Sequence, residues 1–249
     1  MEKIKLPNGL ECYSLSQRET EYIYSEIFYE QQYVQNNIVV REGDCIFDVG
    51  ANIGLFVLFI NQLQKKLKIF AFEPIEPVFT VLSNNIELHN LTNVSIFKYG
   101  LGSEDNANRV FTFYPNMPGN STERPKEKIA QRDVMIDAIG QEQTDYFFKN
   151  TQVSGEIRTL SRAIEDLSID SIDLLKIDVE GEELAVIQGI EPNDWIKIKQ
   201  IVAEVHDIDN RLEQFQSLLQ NNGFEVTIEK NALLPAALNN FNVYAVRQY

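Results

Sequence analysis

Cysteine and histidine are scarce in this chain, whose 249 residues contain only two of each. Cys12 and Cys45 do not stand in any metal-ligand spacing, so the sequence predicts neither a disulfide nor a cysteine-based metal site. Cys45 opens an apolar run, which favours a buried, reduced thiol. These features together predict a reducing, cytoplasmic setting.

Long apolar runs and an excess of basic residues are also missing. No stretch approaches the roughly 20 apolar residues of a membrane-spanning helix, and the first residues lack the apolar core of a secretory signal. The formal net charge is −15, which argues against a nucleic-acid partner because binding to a phosphate backbone requires a basic face. We interpret the basic cluster of Arg124, Lys126, Lys128 and Arg132 as a solvated polar face.

The composition is that of a globular protein, with 44% hydrophobic and 24% charged residues. A chain of this length can build one sizeable core, so we predict a single domain over residues 1–249. Residues 1–40 are predicted to be a helical segment, because Ser16 and Glu19 form a capping-box pattern. The aromatic residues of that segment are expected either to pack against the domain or to line the mouth of a site.

Short apolar runs alternate with helical patterns from residue 45 onward. The runs at 45–49, 68–72 and 94–97 predict strands with helices between them, and further strands are predicted at 172–177 and 198–203. This order predicts an α/β fold with a parallel sheet. The pattern weakens over residues 115–155, which we predict to be a partly helical lid insertion beside the site.

A glycine-containing turn follows the first of these strands and reads Asp48-x-Gly50-x-Asn52-x-Gly54. Gly50 would permit a tight turn and a close ligand approach, and Gly54 close packing of helix and strand. Glu73 ends the second strand about 20 residues later, the offset of an acid that binds ribose hydroxyls. Asn52 stands where a nicotinamide site has glycine, so we predict a nucleoside cofactor with an amino-acid end and no phosphate.

Several segments resemble those of FkbM-type methyltransferases, in the family's order from about Val40 to the C-terminus. They are IFDVGANIGLF, FAFEPIEPVF, NLTNVSIFKYGLGS, IDLLKIDVEGEELAVIQGI and KIKQIVAEVHD. The strings LPNGLECYSLSQRETEYIYSEIF and MPGNSTE are similar to methyltransferase domains embedded in cyanobacterial-type polyketide and nonribosomal peptide synthases. The resemblance implies a Rossmann-like class I methyltransferase fold: a mostly parallel seven-stranded sheet, its last strand antiparallel, with helices on both faces.

The resemblance also implies S-adenosylmethionine as the cofactor. The turn at residues 48–54 would hold its methionine end, Glu73 its ribose, and Leu101 with Gly102 its adenine, and Asp178 is a further candidate contact. The implied reaction is O-methylation of a hydroxyl on a polyketide or peptide intermediate. An acyl or peptidyl carrier protein is the expected partner.

Three polar residues near the ends of the later strands are candidates for catalysis. His206 could take the acceptor's proton, since an imidazole titrates near neutral pH, although a structural role stays open. Asp178, Glu204 and His206 together could instead bind a divalent metal that orients the acceptor, although their spacing matches no known metal motif. Two other function classes also stay open: a nicotinamide-dependent oxidoreductase on the same fold, and an inactive structural domain of an assembly line.

Overall fold

The structure is a computed structural model that describes residues 1–231 and 238–248. Its strands are β1 (Glu2–Lys5), β2 (Glu11–Ser14), β3 (Cys45–Val49), β4 (Lys68–Phe72), β5 (Val94–Phe97), β6 (Gly100–Gly102), β7 (Asn106–Phe113), β8 (Thr151–Thr159), β9 (Leu174–Ile177), β10 (Gln200–His206), β11 (Phe224–Lys230) and β12 (Asn240–Arg247). Its α-helices are α1 (Gln17–Tyr24), α2 (Leu55–Leu63), α3 (Glu76–Leu88), α4 (Ile129–Ile139), α5 (Gln141–Phe147), α6 (Leu160–Asp166), α7 (Glu183–Gln188) and α8 (Arg211–Asn221). Within the described ranges, none of the helices has the length and apolarity that crossing a membrane requires.

The central sheet has seven strands in the order β11-β12-β10-β9-β3-β4-β5. Strands β10, β9, β3, β4 and β5 run parallel, whereas β12 is antiparallel to both of its neighbours. The mostly parallel sheet with an antiparallel last strand is therefore confirmed. Because β3 lies beside β9, Asp48 and Lys176 are direct cross-strand neighbours.

Helices cover both faces of this sheet, as predicted. Successive strand residues point to opposite faces: Ile46 and Leu174 belong to one buried cluster, and Phe47 and Leu175 belong to the other. The first cluster contains the buried side chains of α2 and α3, and the second contains those of α6, α7 and α8. The carboxyl ends of the parallel strands are left to form a site.

The first 40 residues are only partly helical, which corrects the prediction for this segment. Strands β1 and β2 pair as an antiparallel hairpin, whose Pro-Asn-Gly turn has Gly9 at φ 87°. Helix α1 begins directly after Ser16 as expected, but the Ser16 side chain makes no capping hydrogen bond. Glu19 instead accepts a hydrogen bond from the backbone N–H of Gly119, at 2.8 Å. A long-range contact thus replaces the local one that the pattern predicted.

A second sheet, in the order β6-β8-β7, was not predicted. Residues 115–155 are partly helical as expected, through α4 and α5, but the end of this range belongs to β8. Strand β8 is partly exposed along most of its length, so it lacks the apolar alternation that marks a strand. Strand β10 also continues to His206, because it pairs with β12 up to that residue.

Candidate active site

A cavity of about 580 Å³ lies at the carboxyl ends of β3, β4, β9 and β10. Most of the predicted site residues line it: Gly50, Asn52, Glu73, Leu101, Asp178, Glu204 and His206. Asp48, Gly54 and Gly102 are not among the lining residues. The structure therefore brings together residues from these four strands and from β6, and three of the predicted residues do not reach the cavity surface.

Asp48 supports the glycine turn from below the cavity. Its carboxylate is fully buried and lies 3.1 Å from the Nζ of Lys176, which also donates a hydrogen bond to the carbonyl of Gly50 at 2.8 Å. Burial raises the pKa of Asp48, and the positive charge of Lys176 opposes that shift. Lys176 was not predicted as a site residue, although a lone lysine inside an apolar strand indicates a buried charge with a partner.

The glycines of the predicted cofactor turns serve close packing. Gly50 has φ +76°, and a Cβ there would lie 1.9 Å from the backbone oxygen of Asp178. Gly54 has φ +91°, and its Cβ would meet Leu82 of α3 at 2.7 Å. Position 50 therefore requires glycine because the backbone at the end of β9 packs directly against it. No contact with a ligand is needed to explain the glycine.

Glu73 is held rigidly at the end of β4. One carboxylate oxygen accepts a hydrogen bond from the backbone N–H of Asn52 at 3.1 Å, and the other accepts one from Ile75 at 2.9 Å. Burial raises the pKa of Glu73 to about 7. Each oxygen keeps a free lone pair, so a hydroxyl in the cavity could still donate to this carboxylate.

The aromatic residues of the N-terminal segment divide between the two expected roles. Tyr22 and Tyr33 line the cavity, whereas Tyr24 stacks on Phe28 at 4.6 Å between ring centroids. The Tyr33 hydroxyl donates a hydrogen bond to Asp178 at 2.8 Å. The N-terminal segment thus forms one wall of the site and orients an acid at the end of β9.

His206 lies between two carboxylates. Its Nδ1 is 3.2 Å from Glu183 and its Nε2 is 3.3 Å from Glu180. Burial alone would lower the pKa of His206, but these two negative charges overcome that effect and raise it to about 10. An imidazolium has no free lone pair, so this setting opposes the predicted role of His206 as the base and favours a fixed positive charge.

We expect NMR of ¹⁵N-labelled protein to show both ring nitrogens of His206 protonated at pH 8. Because its folded pKa lies above the unfolded value of about 6.5, its stabilising contribution is full below pH 6.5 and is lost as the pH rises through about 10. The ring-nitrogen signals of His206 are assigned by comparison with a His206→Gln variant. Titration of His206 near pH 6.5 would contradict the expectation.

The predicted metal site does not form from these side chains. Within residues 1–231 and 238–248, no group of three or more His, Cys, Asp or Glu side chains is arranged to hold a metal ion. The reason lies at His206, since both of its nitrogens already face Glu180 and Glu183. Asp178 and Glu204 line the same cavity without completing a ligand set.

Ion pairs connect the insertion at residues 115–155 to the turn between β9 and α7. Arg124 pairs with Glu182, and Lys128 pairs with Glu180, the same carboxylate that faces His206. Lys128 is buried, so interpreting the whole basic cluster as solvated was wrong. Lys128 and several further residues of the insertion also line the cavity, and the role of the insertion as a lid stays a prediction.

The cavity wall carries far more acidic than basic side chains. Its acids are Glu19, Glu26, Glu73, Glu123, Glu127, Asp178, Glu180, Glu182, Glu204 and Asp207, and its basic groups are Arg18, Lys128, Lys176 and His206. Burial is the largest cause that raises the pKa of Glu19 and Glu26 to about 8, and that of Glu204 to about 7. Such a wall favours a positively charged ligand.

Comparison with known proteins gives a consistent result. The profile described as "Methyltransferase FkbM domain" matches residues 48–226. The chain is 34% identical over 244 residues to the 31-O-demethyl-FK506 methyltransferase FkbM of Streptomyces tacrolimicus, covering 94% of this chain and 92% of that protein. It is also 34% identical over 270 residues to the AMB antimetabolite synthetase AmbE of Pseudomonas aeruginosa, covering 98% of this chain but 12% of the synthetase.

Solved structures show the same fold at low sequence identity. A methyltransferase FkbM from Methylobacillus flagellatus superposes with a TM-score of 0.56 and 14% identity, over 89% of this chain and 47% of that one. The isolated METTL16 methyltransferase domain gives a TM-score of 0.50 and 11% identity, over 99% of this chain and 71% of that one. These matches agree with the mostly parallel α/β fold described above.

Proposed function

Since the chain belongs to the FkbM methyltransferase family, we propose that it transfers a methyl group from S-adenosylmethionine to a hydroxyl oxygen. The acceptor in this proposal is a polyketide or peptide intermediate tethered to an acyl or peptidyl carrier protein. The observation that carries the cofactor assignment is the acid-rich cavity at the ends of β3, β4 and β9. Family membership sets aside the nicotinamide alternative.

The charge of the cavity agrees with this cofactor. S-adenosylmethionine carries a sulfonium and an ammonium group, and both are attracted to carboxylates in a partly desolvated site. A nicotinamide cofactor carries an anionic pyrophosphate, which the same wall would repel. In this proposal Glu73 accepts hydrogen bonds from the ribose hydroxyls and Leu101 packs against the adenine; both residues line the cavity.

The protein's part in the reaction is alignment and proton removal. The bound cofactor supplies a methyl group on a good leaving group, so correct placement of the acceptor oxygen provides much of the rate. As the new C–O bond forms, the acceptor's proton must pass to a base. Glu204 suits this task, because burial beside Asp178 raises its pKa to about 7. Asn240 donates a hydrogen bond to its carboxylate at 3.0 Å and holds it in place.

Two relatives support the acceptor class. The Streptomyces protein is named for a 31-O-demethyl substrate, which is methylated on oxygen. The Pseudomonas protein is a synthetase, of which the matching region is a small part. These names, taken with the family, favour oxygen methylation in an assembly-line setting for this chain.

The cofactor assignment is tested by calorimetry with S-adenosylmethionine. We expect binding in the parent protein and about 10- to 100-fold weaker binding in Glu73→Gln, because a charge-assisted hydrogen bond to the ribose is lost. Glu76→Gln is the matched control, since Glu76 is an exposed acid three residues away that pairs with Lys98. Absence of binding in folded parent protein would contradict the proposal.

The acceptor is tested separately by mass spectrometry of carrier proteins loaded with hydroxyacyl or hydroxypeptidyl groups. Oxygen methylation predicts a mass gain of one methyl group on the hydroxylated substrate and none on the matched deoxy substrate. A mass gain on both substrates would show that the methyl group is transferred to a carbon or nitrogen atom instead of the hydroxyl oxygen. A gain only on free, untethered acceptors would remove the carrier protein from the proposal.

A further inference from the structure

Glu26 is a buried acid outside the region that the family profile matches. That region begins at residue 48, whereas Glu26 lies in a π-helical turn at Ser25–Tyr29 that continues α1. Its side chain is 8% exposed, and its neighbours Tyr24 and Ile27 belong to the apolar core. A carboxylate in such a place is costly unless it has a task, and π-helical turns are often found at functional sites.

Glu26 lines the same cavity as the predicted cofactor residues. Glu204 lines this cavity as well, and its negative charge adds to burial in raising the pKa of Glu26. Within the described parts of the chain, Glu26 is in no ion pair with a lysine, arginine or histidine, so its carboxyl group is left for something in the cavity.

The sheet order places these acids away from the cofactor turn. Glu204 is on β10, two strands from β3, and neighbouring strands lie about 4.8 Å apart. Glu73 directly follows β4, which lies on the opposite side of β3 from β9 and β10. With the nucleoside on that side, the end of the cavity near β10 is where the methyl group is delivered.

We infer that Glu26 is a catalytic residue which, together with Glu204, forms a pair of carboxylates around the acceptor oxygen. The inference rests on the proposed function. In the step, the bond between sulfur and the methyl carbon breaks and the bond between the acceptor oxygen and that carbon forms. The acceptor's proton passes to Glu204, and Glu26 orients the hydroxyl and offsets the positive charge of the methyl group.

The inference is tested without knowing the acceptor, by comparing two analogues of the cofactor. Sinefungin has a carbon bearing an ammonium group in place of the sulfonium and its methyl, whereas S-adenosylhomocysteine has a neutral sulfide there. The ratio of their dissociation constants therefore reports on negative groups around the methyl position. Calorimetry with both ligands gives the ratio for each variant.

We expect the parent protein to prefer sinefungin, and Glu26→Gln to reduce that preference by about tenfold, the effect of losing one charge-assisted contact. Binding of S-adenosylhomocysteine should change little in this variant, which separates a local effect from a folding defect. Glu21→Gln is the matched control, because Glu21 is exposed on α1 and hydrogen-bonded to Gln17. It should leave the ratio unchanged.

The outcomes are distinguishable. If the parent binds both analogues but Glu26→Gln keeps the parental ratio, Glu26 does not face the methyl position and the inference is wrong, while the cofactor assignment stands. If folded parent protein binds neither analogue, the proposed function fails and the inference fails with it. A reduced ratio in Glu204→Gln as well as in Glu26→Gln would support the pair.

Discussion

Replacing Gly50 by alanine is expected to prevent stable folding, with a loss above about 4 kcal/mol in the free energy of unfolding. The added Cβ would lie 1.9 Å from the backbone oxygen of Asp178, and neither atom can move without separating β3 from β9. Alanine at position 50 would also have to adopt a φ of about +76°, which residues other than glycine rarely do. Urea unfolding followed by circular dichroism measures the loss.

Gly140→Ala is the matched control for this variant. Gly140 has φ +84°, close to that of Gly50, but a Cβ there would meet no atom within 4 Å. Its ψ is 162°, and we expect a loss of only about 1–3 kcal/mol, from the backbone conformation alone. Equal losses in the two variants would show that close packing at Gly50 contributes nothing beyond its φ angle.

Lys176→Met is expected to destabilise the protein by about 3–5 kcal/mol, the usual effect of leaving a buried charge without its partner. Asp48 is fully buried and Lys176 is 3% exposed, so water cannot replace the lost ammonium group. The hydrogen bond from Lys176 to the carbonyl of Gly50 is lost as well. Thermal unfolding and urea unfolding both report the change.

The double variant Asp48→Asn with Lys176→Met separates charge from packing. Removing both charges should restore part of the stability, because no unpaired carboxylate then remains. The exposed pair of Lys66 and Glu42 provides a comparison, and Lys66→Met should cost at most about 1 kcal/mol. A double variant as unstable as Lys176→Met would show that methionine packs badly there and that the ion pair is not the cause.

Much of the fold could be predicted because its central strands are short, apolar and followed by polar turns. Strands β3, β4 and β5 were predicted with their observed bounds, and Glu73 was predicted as a site residue from its distance along the chain from the glycine turn. Local sequence patterns predict strands and turns, because strand burial and turn formation depend on residues that are adjacent in the sequence.

The parts that escaped prediction depend on contacts between distant residues. The pair of carboxylates around His206 comes from the turn before α7 and from α7 itself, and nothing in the residues next to His206 indicates it. Glu26 shares the cavity with Glu204 only because the N-terminal segment forms one wall of the site. The hairpin of β1 and β2 was missed for a different reason, since its turn signal was present and was outweighed by the helical pattern after it.

The acidic wall of the cavity couples the binding of a cationic ligand to the release of protons. Burial raises the pKa of Glu19, Glu26, Glu73 and Glu204 to about 7 to 8, so they share several protons at neutral pH. A cationic ligand favours their ionised forms and releases protons to solvent, and its affinity therefore rises as the pH passes through this range. The same raised pKa values lower the stability of the fold as the pH rises through that range, so an alkaline medium weakens the fold while it favours binding of the cation.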